Sequence, residues 1–93
     1  MSKNLIPLKT LTDLRGALKR YSSISGDKLR ILIPKDSIRE LERSGMERVS
    51  DSSINKIPVI GKFQDRTVLE FPSEFEHLLR VKSKPFAILW RKD

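Results

Sequence analysis

The apolar residues of this chain come in short bursts, and that rhythm restricts the folds open to it. LRILI at 29–33, IPVIGKF at 57–63, TVLEF at 67–71 and FAILW at 86–90 are short runs rich in β-branched and aromatic side chains. Runs of this kind, bounded by glycine, proline or turn residues, are strand signals. Gly26-Asp27 precedes the first and Pro34 follows it; Pro85 introduces the last. The middle two flank Gln64-Asp65-Arg66, which reads as a hairpin. Pro58 marks a strand end or an edge, because proline cannot donate to a ladder. No apolar run approaches the roughly 20 residues that span a bilayer as a helix.

Between these runs the period becomes helical. Leu11, Leu14, Ala17, Leu18 and Tyr21 share one face of a helix over 11–21, with Thr10 or Thr12 as its N-cap. Ser22 to Asp27 reads as a loop. Ser37-Ile38-Arg39-Glu40 is a Ser-x-x-Glu capping box for a second helix, striped by Ile38 and Leu41 and ended by Gly45. Glu47 to Asn55 is polar, either a further helical turn or a loop. A second capping box, Ser73-Glu74-Phe75-Glu76 after Pro72, opens a third helix with Phe75, Leu78 and Leu79 inward. Residues 1–9 show no period and contain Pro7, so they read as a flexible arm. The expectation is an α+β domain with a small sheet of about four strands and three short helices, in the order α-β-α-β-β-α-β. Strand, proline and capping box occur at 29–43 and again at 67–80, either as two halves of a split β-α-β layout or as a chance echo.

Ninety-three residues make a single domain, 1–93, with a thin stability margin. Hydrophobic residues are 38% and charged residues 33%, a composition for which dimerisation commonly supplies missing buried surface. Cysteine is absent, so disulfides and thiolate metal sites are excluded. The opening Met-Ser-Lys-Asn-Leu-Ile-Pro lacks the apolar stretch of a signal peptide, and a cytoplasmic location is expected.

Nineteen Lys and Arg against twelve Asp and Glu leave a net charge of +7. An excess of this size raises the local concentration of a polyanion, although it also serves solubility alone. Its distribution is uneven. Residues 1–33 carry Lys3, Lys9, Arg15, Lys19, Arg20, Lys28 and Arg30 against Asp13 and Asp27, while 34–66 nearly cancel. From His77 to Lys92 there are Arg80, Lys82, Lys84, Arg91 and Lys92 and no acid.

Chemistry beyond charge is sparse. His77 is the one histidine and nothing nearby completes a triad; a solvent-facing or locally bonded role fits it better. Asp36, Glu40, Glu42 and Glu47 alternate with Arg39, Arg43 and Arg48, the pattern of a solvated helix face with ion pairs. The four glycines do not cluster into a phosphate loop. No catalytic residue, no metal, no cofactor and no small-molecule substrate is therefore expected, and the chain reads as a non-enzyme.

Binding residues are easier to nominate. Lys28 and Arg30 lead into the first strand, where pleat alternation places Arg30 on the face opposite Leu29 and Ile31, exposed to solvent. Lys35 and Arg39 leave it, Lys35 near a helix start whose N–H groups attract phosphate. Lys19 and Arg20 end the first helix. Arg80, Lys82, Lys84 and Arg91 surround Phe86 and Trp90, aromatics that either stack bases or, more plainly for Phe86, close the core. These ten cations are the candidate DNA-binding residues.

The segment Gly26 to Leu41 (GDKLRILIPKDSIREL) resembles the first half of an AbrB-type swapped-hairpin domain, in which a basic strand runs into an Ile-Pro-Lys turn and an Ile-Arg-x-Leu helix. Its paired strands would correspond to 57–71, so the resemblance covers about half the chain. It implies a dimeric DNA-binding regulator or antitoxin, with Lys28, Arg30, Lys35 and Arg39 at the basic positions. One residue is inserted between Pro-Lys and the helix, the loop after Met46 is longer, and 1–21 and the residues after Pro72 lie outside the pattern. Ile38 to Met46 also resembles the end of a winged-helix recognition helix, with Asp65 to Leu69 as the return strand of a wing. That fold needs a helix just before, and LRILIP makes a poor one. Both resemblances imply duplex DNA. The expected function is a homodimeric DNA-binding regulator or architectural protein, RNA remaining open; the alternative is an interaction module, such as an inhibitor or assembly subunit, that binds an acidic protein.

Overall fold

The computed structural model describes residues 5–25, 28–49, 53–54, 57–71 and 85–91. Its elements are β1 (Leu5–Leu8), α1 (Leu11–Arg20), β2 (Leu29–Ile33), α2 (Lys35–Arg43), β3 (Glu47–Arg48), β4 (Ser53–Ile54), β5 (Ile57–Phe63), β6 (Arg66–Glu70) and β7 (Ala87–Arg91). They form an α+β fold around a mixed sheet of six strands in the order β1-β7-β2-β6-β5-β3, with β4 paired to β5 off that path. This corrects the expectation of about four strands and three helices in the order α-β-α-β-β-α-β. Two helices stand among the described residues, and the helix expected at 73–80 lies outside them.

The strands that sequence reading missed are all at the margins of the sheet. Leu5–Leu8, expected to belong to an arm, is an edge strand antiparallel to β7, with Leu5 opposite Trp90 and Leu8 opposite Ala87. Only one side of an edge is paired, so Pro7 can sit there without breaking a central ladder. The two-residue strands β3 and β4 are too short to show a period and exist only because β5 offers them an edge. Gly61 permits that approach, since a Cβ there would collide with the backbone carbonyl of Glu47. It follows a bulge that accommodates Ile60 between the Val59–Leu69 and Gly61–Val68 pairs.

Local signals placed the remaining elements well. Thr10 caps α1 by accepting from the Asp13 N–H at 3.1 Å, and Leu14 and Leu18 are buried. Helix α2 starts earlier than the expected capping box. Pro34 is its N-cap, with φ −69° and extended ψ, and Ser37 lies inside the first turn, buried. Proline sets its own φ and tolerates the missing N–H before a helix, so no Ser cap is needed. The helix ends as expected at Gly45, whose φ of 113° suits glycine. Met46 N–H donates to Leu41 C=O and Gly45 N–H to Glu42 C=O, the paired bonds of a Schellman motif. Gln64 and Asp65 both have positive φ and form the two-residue turn of the β5–β6 hairpin.

Strands β1 and β2 both run antiparallel to β7 and are therefore parallel to each other, so β1-α1-β2 is a split β-α-β unit. On one face, Leu14 and Leu18 of α1 and Leu41 of α2 pack on Leu29, Ile31, Ile33, Val68, Ala87 and Leu89. On the other, Leu32, Leu69 and Ile88 are buried beneath a rim that includes Leu5, Val59, Phe71 and Trp90. Strand β2 lies at the centre, flanked by β7 and β6, and all five of its residues are buried. A central strand covered on both faces reads as a continuous apolar run, as LRILI nearly does. The exception is Arg30.

Candidate functional site

The turn of the β5–β6 hairpin defines one end of the sheet. Strand β2 starts there, β7 finishes there, and α1 ends there. The last point is fixed by Arg66, the first residue of β6, which is only 8% exposed. Its Nη1 donates to the carbonyl of Ile24, and its Nη2 to those of Ser22 at 3.4 Å and Tyr21 at 3.5 Å. The helix C-terminus and the turn after it leave carbonyls without intrahelical donors, and a guanidinium satisfies several at once while matching the negative end of the helix dipole.

This arrangement gathers cations from distant parts of the chain. Lys19 and Arg20 in the last turn of α1 are exposed, as is Lys28 just before β2. Arg91, half-buried, ends β7 opposite Leu29. Among the described residues, Asp65 in the hairpin turn is an acid at this same end, just before the strand next to β2, whereas Glu42 and Glu47 lie by β3 toward the other edge of the sheet. Glu42 pairs with Arg48 at 3.1 Å, an exposed bridge between α2 and β3 rather than the intrahelical pair the sequence pattern pointed to.

Lys35 and Arg39 do not join this group. Both are exposed, but Lys35 opens α2 at the opposite end of β2 from Lys28, roughly 16 Å away along a five-residue strand. The two pairs nominated around the first strand, one leading into it and one leaving it, thus stand at its opposite ends. Arg80, Lys82 and Lys84 lie outside the described residues. Phe86 is buried in the helix-covered core.

Arg30 departs most from expectation. Alternation does turn it away from Leu29 and Ile31, but that second face is covered too, and Arg30 is 9% exposed rather than solvent-facing. Its guanidinium carbon lies 5.7 Å from the centroid of the Trp90 ring, its cross-strand partner. Its Nη1 is buried and meets no hydrogen-bond acceptor among the described residues. Burying a charged group costs several kcal/mol even after the protein relaxes, whereas a cation–π contact returns about 0.5 to 2 kcal/mol. The indole alone leaves this charge undercompensated.

Register shows what surrounds it. Leu5 opposes Trp90, Trp90 opposes Arg30, and Lys62 opposes both Thr67 and Glu47. Ile31 pairs with Val68, so Thr67 stands one step back beside Arg30. At one level of the second face the row across six strands is Leu5, Trp90, Arg30, Thr67, Lys62 and Glu47. Thr67 is half-buried, and Lys62 and Glu47 are exposed. Sequence reading nominated neither Thr67 nor Lys62, nor the structural Arg66. Period-2 alternation gives each residue's face within its own strand, but nothing local tells which strands lie side by side.

Strand β2, the first half of the swapped-hairpin resemblance, is paired on both sides within its own chain, and the residues just ahead of α2 form a strand where a winged helix needs a helix. No described helix is long and apolar enough to cross a membrane. No family model, curated protein or solved structure matches the chain, so neither resemblance gains support from these comparisons.

Proposed function

We propose that this protein binds nucleic acid, DNA in the first instance, through the end of the sheet marked by the β5–β6 hairpin. In this reading it is an intracellular, non-catalytic regulator or architectural protein acting as a homodimer. The observation that carries the reading is the convergence of Lys19, Arg20, Lys28 and Arg91 from separate parts of the chain at one end of the sheet, with Glu42 and Glu47 toward the β3 edge. A localised excess of this kind, within a chain of net charge +7, attracts a polyanion through counterion release.

The test is binding to duplex DNA, single-stranded DNA and RNA of one sequence at two or more salt concentrations, by gel shift or fluorescence anisotropy. Contact with about four phosphates gives a slope of about −4 in log affinity against log salt. The triple variant Lys19→Ala, Arg20→Ala, Lys28→Ala should make that slope shallower by about 2 to 3 while leaving thermal stability nearly unchanged. Light scattering in the same buffers gives the oligomeric state. Absence of salt-sensitive binding to all three polymers overturns the reading and favours an acidic protein as the partner.

A further inference from the structure

We infer that Arg30, Thr67 and Lys62 form a phosphate-binding site on the second face of the sheet, beside Trp90. The inference goes beyond the proposed function and stands whether or not the basic end binds a polymer. Its first support is the buried Nη1 of Arg30, which has no acceptor among the described residues. A guanidinium has no neutral form to retreat to at ordinary pH and presents its donors as a fixed planar fork suited to oxyanions. A central strand otherwise composed of Leu and Ile would accommodate another aliphatic residue readily; a buried arginine there calls for an anion.

The second support is the row. Thr67 and Lys62 follow Arg30 on the next two strands, at the same level and on the same face. Strands lie about 4.8 Å apart, so Arg30 and Lys62 are separated by roughly 10 Å at the backbone, a span that their long side chains can close around one tetrahedral group. Thr67, between them, offers a hydroxyl donor. Arg30 is the second residue of β2, which places the site near the beginning of the strand rather than at its middle. Two cations and a hydroxyl fit a phosphate, which carries more charge and more acceptor oxygens than a carboxylate. Glu47, directly opposite Lys62, bounds the site on that side.

Trp90 is the one tryptophan in the chain and stands against Arg30, so its fluorescence reports on this site. The experiment titrates the full chain with inorganic phosphate, adenosine monophosphate, a short single-stranded oligonucleotide and acetate, at constant ionic strength. A saturable change in Trp90 emission with at least one phosphate-bearing probe, and none with acetate, is expected. The response should vanish in Arg30→Met and weaken about tenfold in Thr67→Val, the loss of one hydrogen bond to a charged group. A response to inorganic phosphate identifies a free-anion site, a tighter response to the nucleotide identifies a nucleoside phosphate, and a response to the oligonucleotide alone identifies the polymer backbone. No response to any phosphate probe, an equal response to acetate, or an undiminished response in Arg30→Met overturns the proposal. Should Arg30→Met not fold, Thr67→Val and Lys62→Ala decide, because an unchanged affinity in both is incompatible with the site. The triple variant at Lys19, Arg20 and Lys28 should keep its response to inorganic phosphate, which separates failure of this site from failure of the nucleic-acid reading.

Discussion

Arg30 and Arg66 are buried to nearly the same extent, 9% and 8% exposed, near one end of the sheet but on opposite faces of it. Arg66 faces the helices and donates to three backbone carbonyls from the end of α1 and the turn beyond it. Arg30 faces away from the helices, lies against an indole and leaves Nη1 without an acceptor. Burial by itself therefore says little about what an arginine is for. A cation whose two terminal nitrogens are both bonded to its own chain is part of the scaffold; one with a buried nitrogen left without an acceptor is a candidate for something that binds.

Arg66 carries the larger structural consequence of the two. Arg66→Met should cost about 3 kcal/mol, because it leaves the carbonyls of Ser22 and Ile24 short of a donor, removes the second of two donors from that of Tyr21, and unties the hairpin from α1. Chemical denaturation measures this, and a loss below about 1 kcal/mol would show that the carbonyls find water instead. At the other end of α1, Thr10→Ala removes the N-cap bond to Asp13 and should cost about 1 kcal/mol. The smaller effect there would confirm that the helix is held mainly by its buried end. Arg30→Met should leave stability unchanged or raise it by up to about 1 kcal/mol, as replacing an undercompensated buried charge with a packed apolar chain often does. If it instead destabilises as much as Arg66→Met, the two arginines have the same structural job and the distinction between them fails.

Much of the scaffold was legible in the sequence. LRILI, the two arms of the hairpin and AILW carry strand chemistry within themselves, Thr10 caps its own helix, and Gly45 supplies the left-handed residue that its helix end requires. Pro34 competed with the Ser37 capping box and won, because a residue with fixed φ and no N–H already suits the position before a helix. The site was less legible. Lys19, Arg20 and Lys28 could be nominated from charge, but their convergence with Arg91 depends on α1 ending where β7 ends. Thr67 and Lys62 carried no signal at all, since each looks like an ordinary strand residue until the register sets it beside Arg30.

The sequence by itself determined the elements whose causes lie within a few residues: period, caps, turn residues and the total of charge. The tertiary structure alone decided which strands are neighbours, that Leu5–Leu8 and Glu47–Arg48 join the sheet, and that both faces of β2 are covered. The physical reason is range. A hydrogen-bonded turn or an amphipathic stripe is settled locally, whereas the environment of Arg30 is made by Trp90 from the far end of the chain and by Thr67 from a strand that follows α2. Alternation gave Arg30 its direction; only the packing of both faces turned that direction inward.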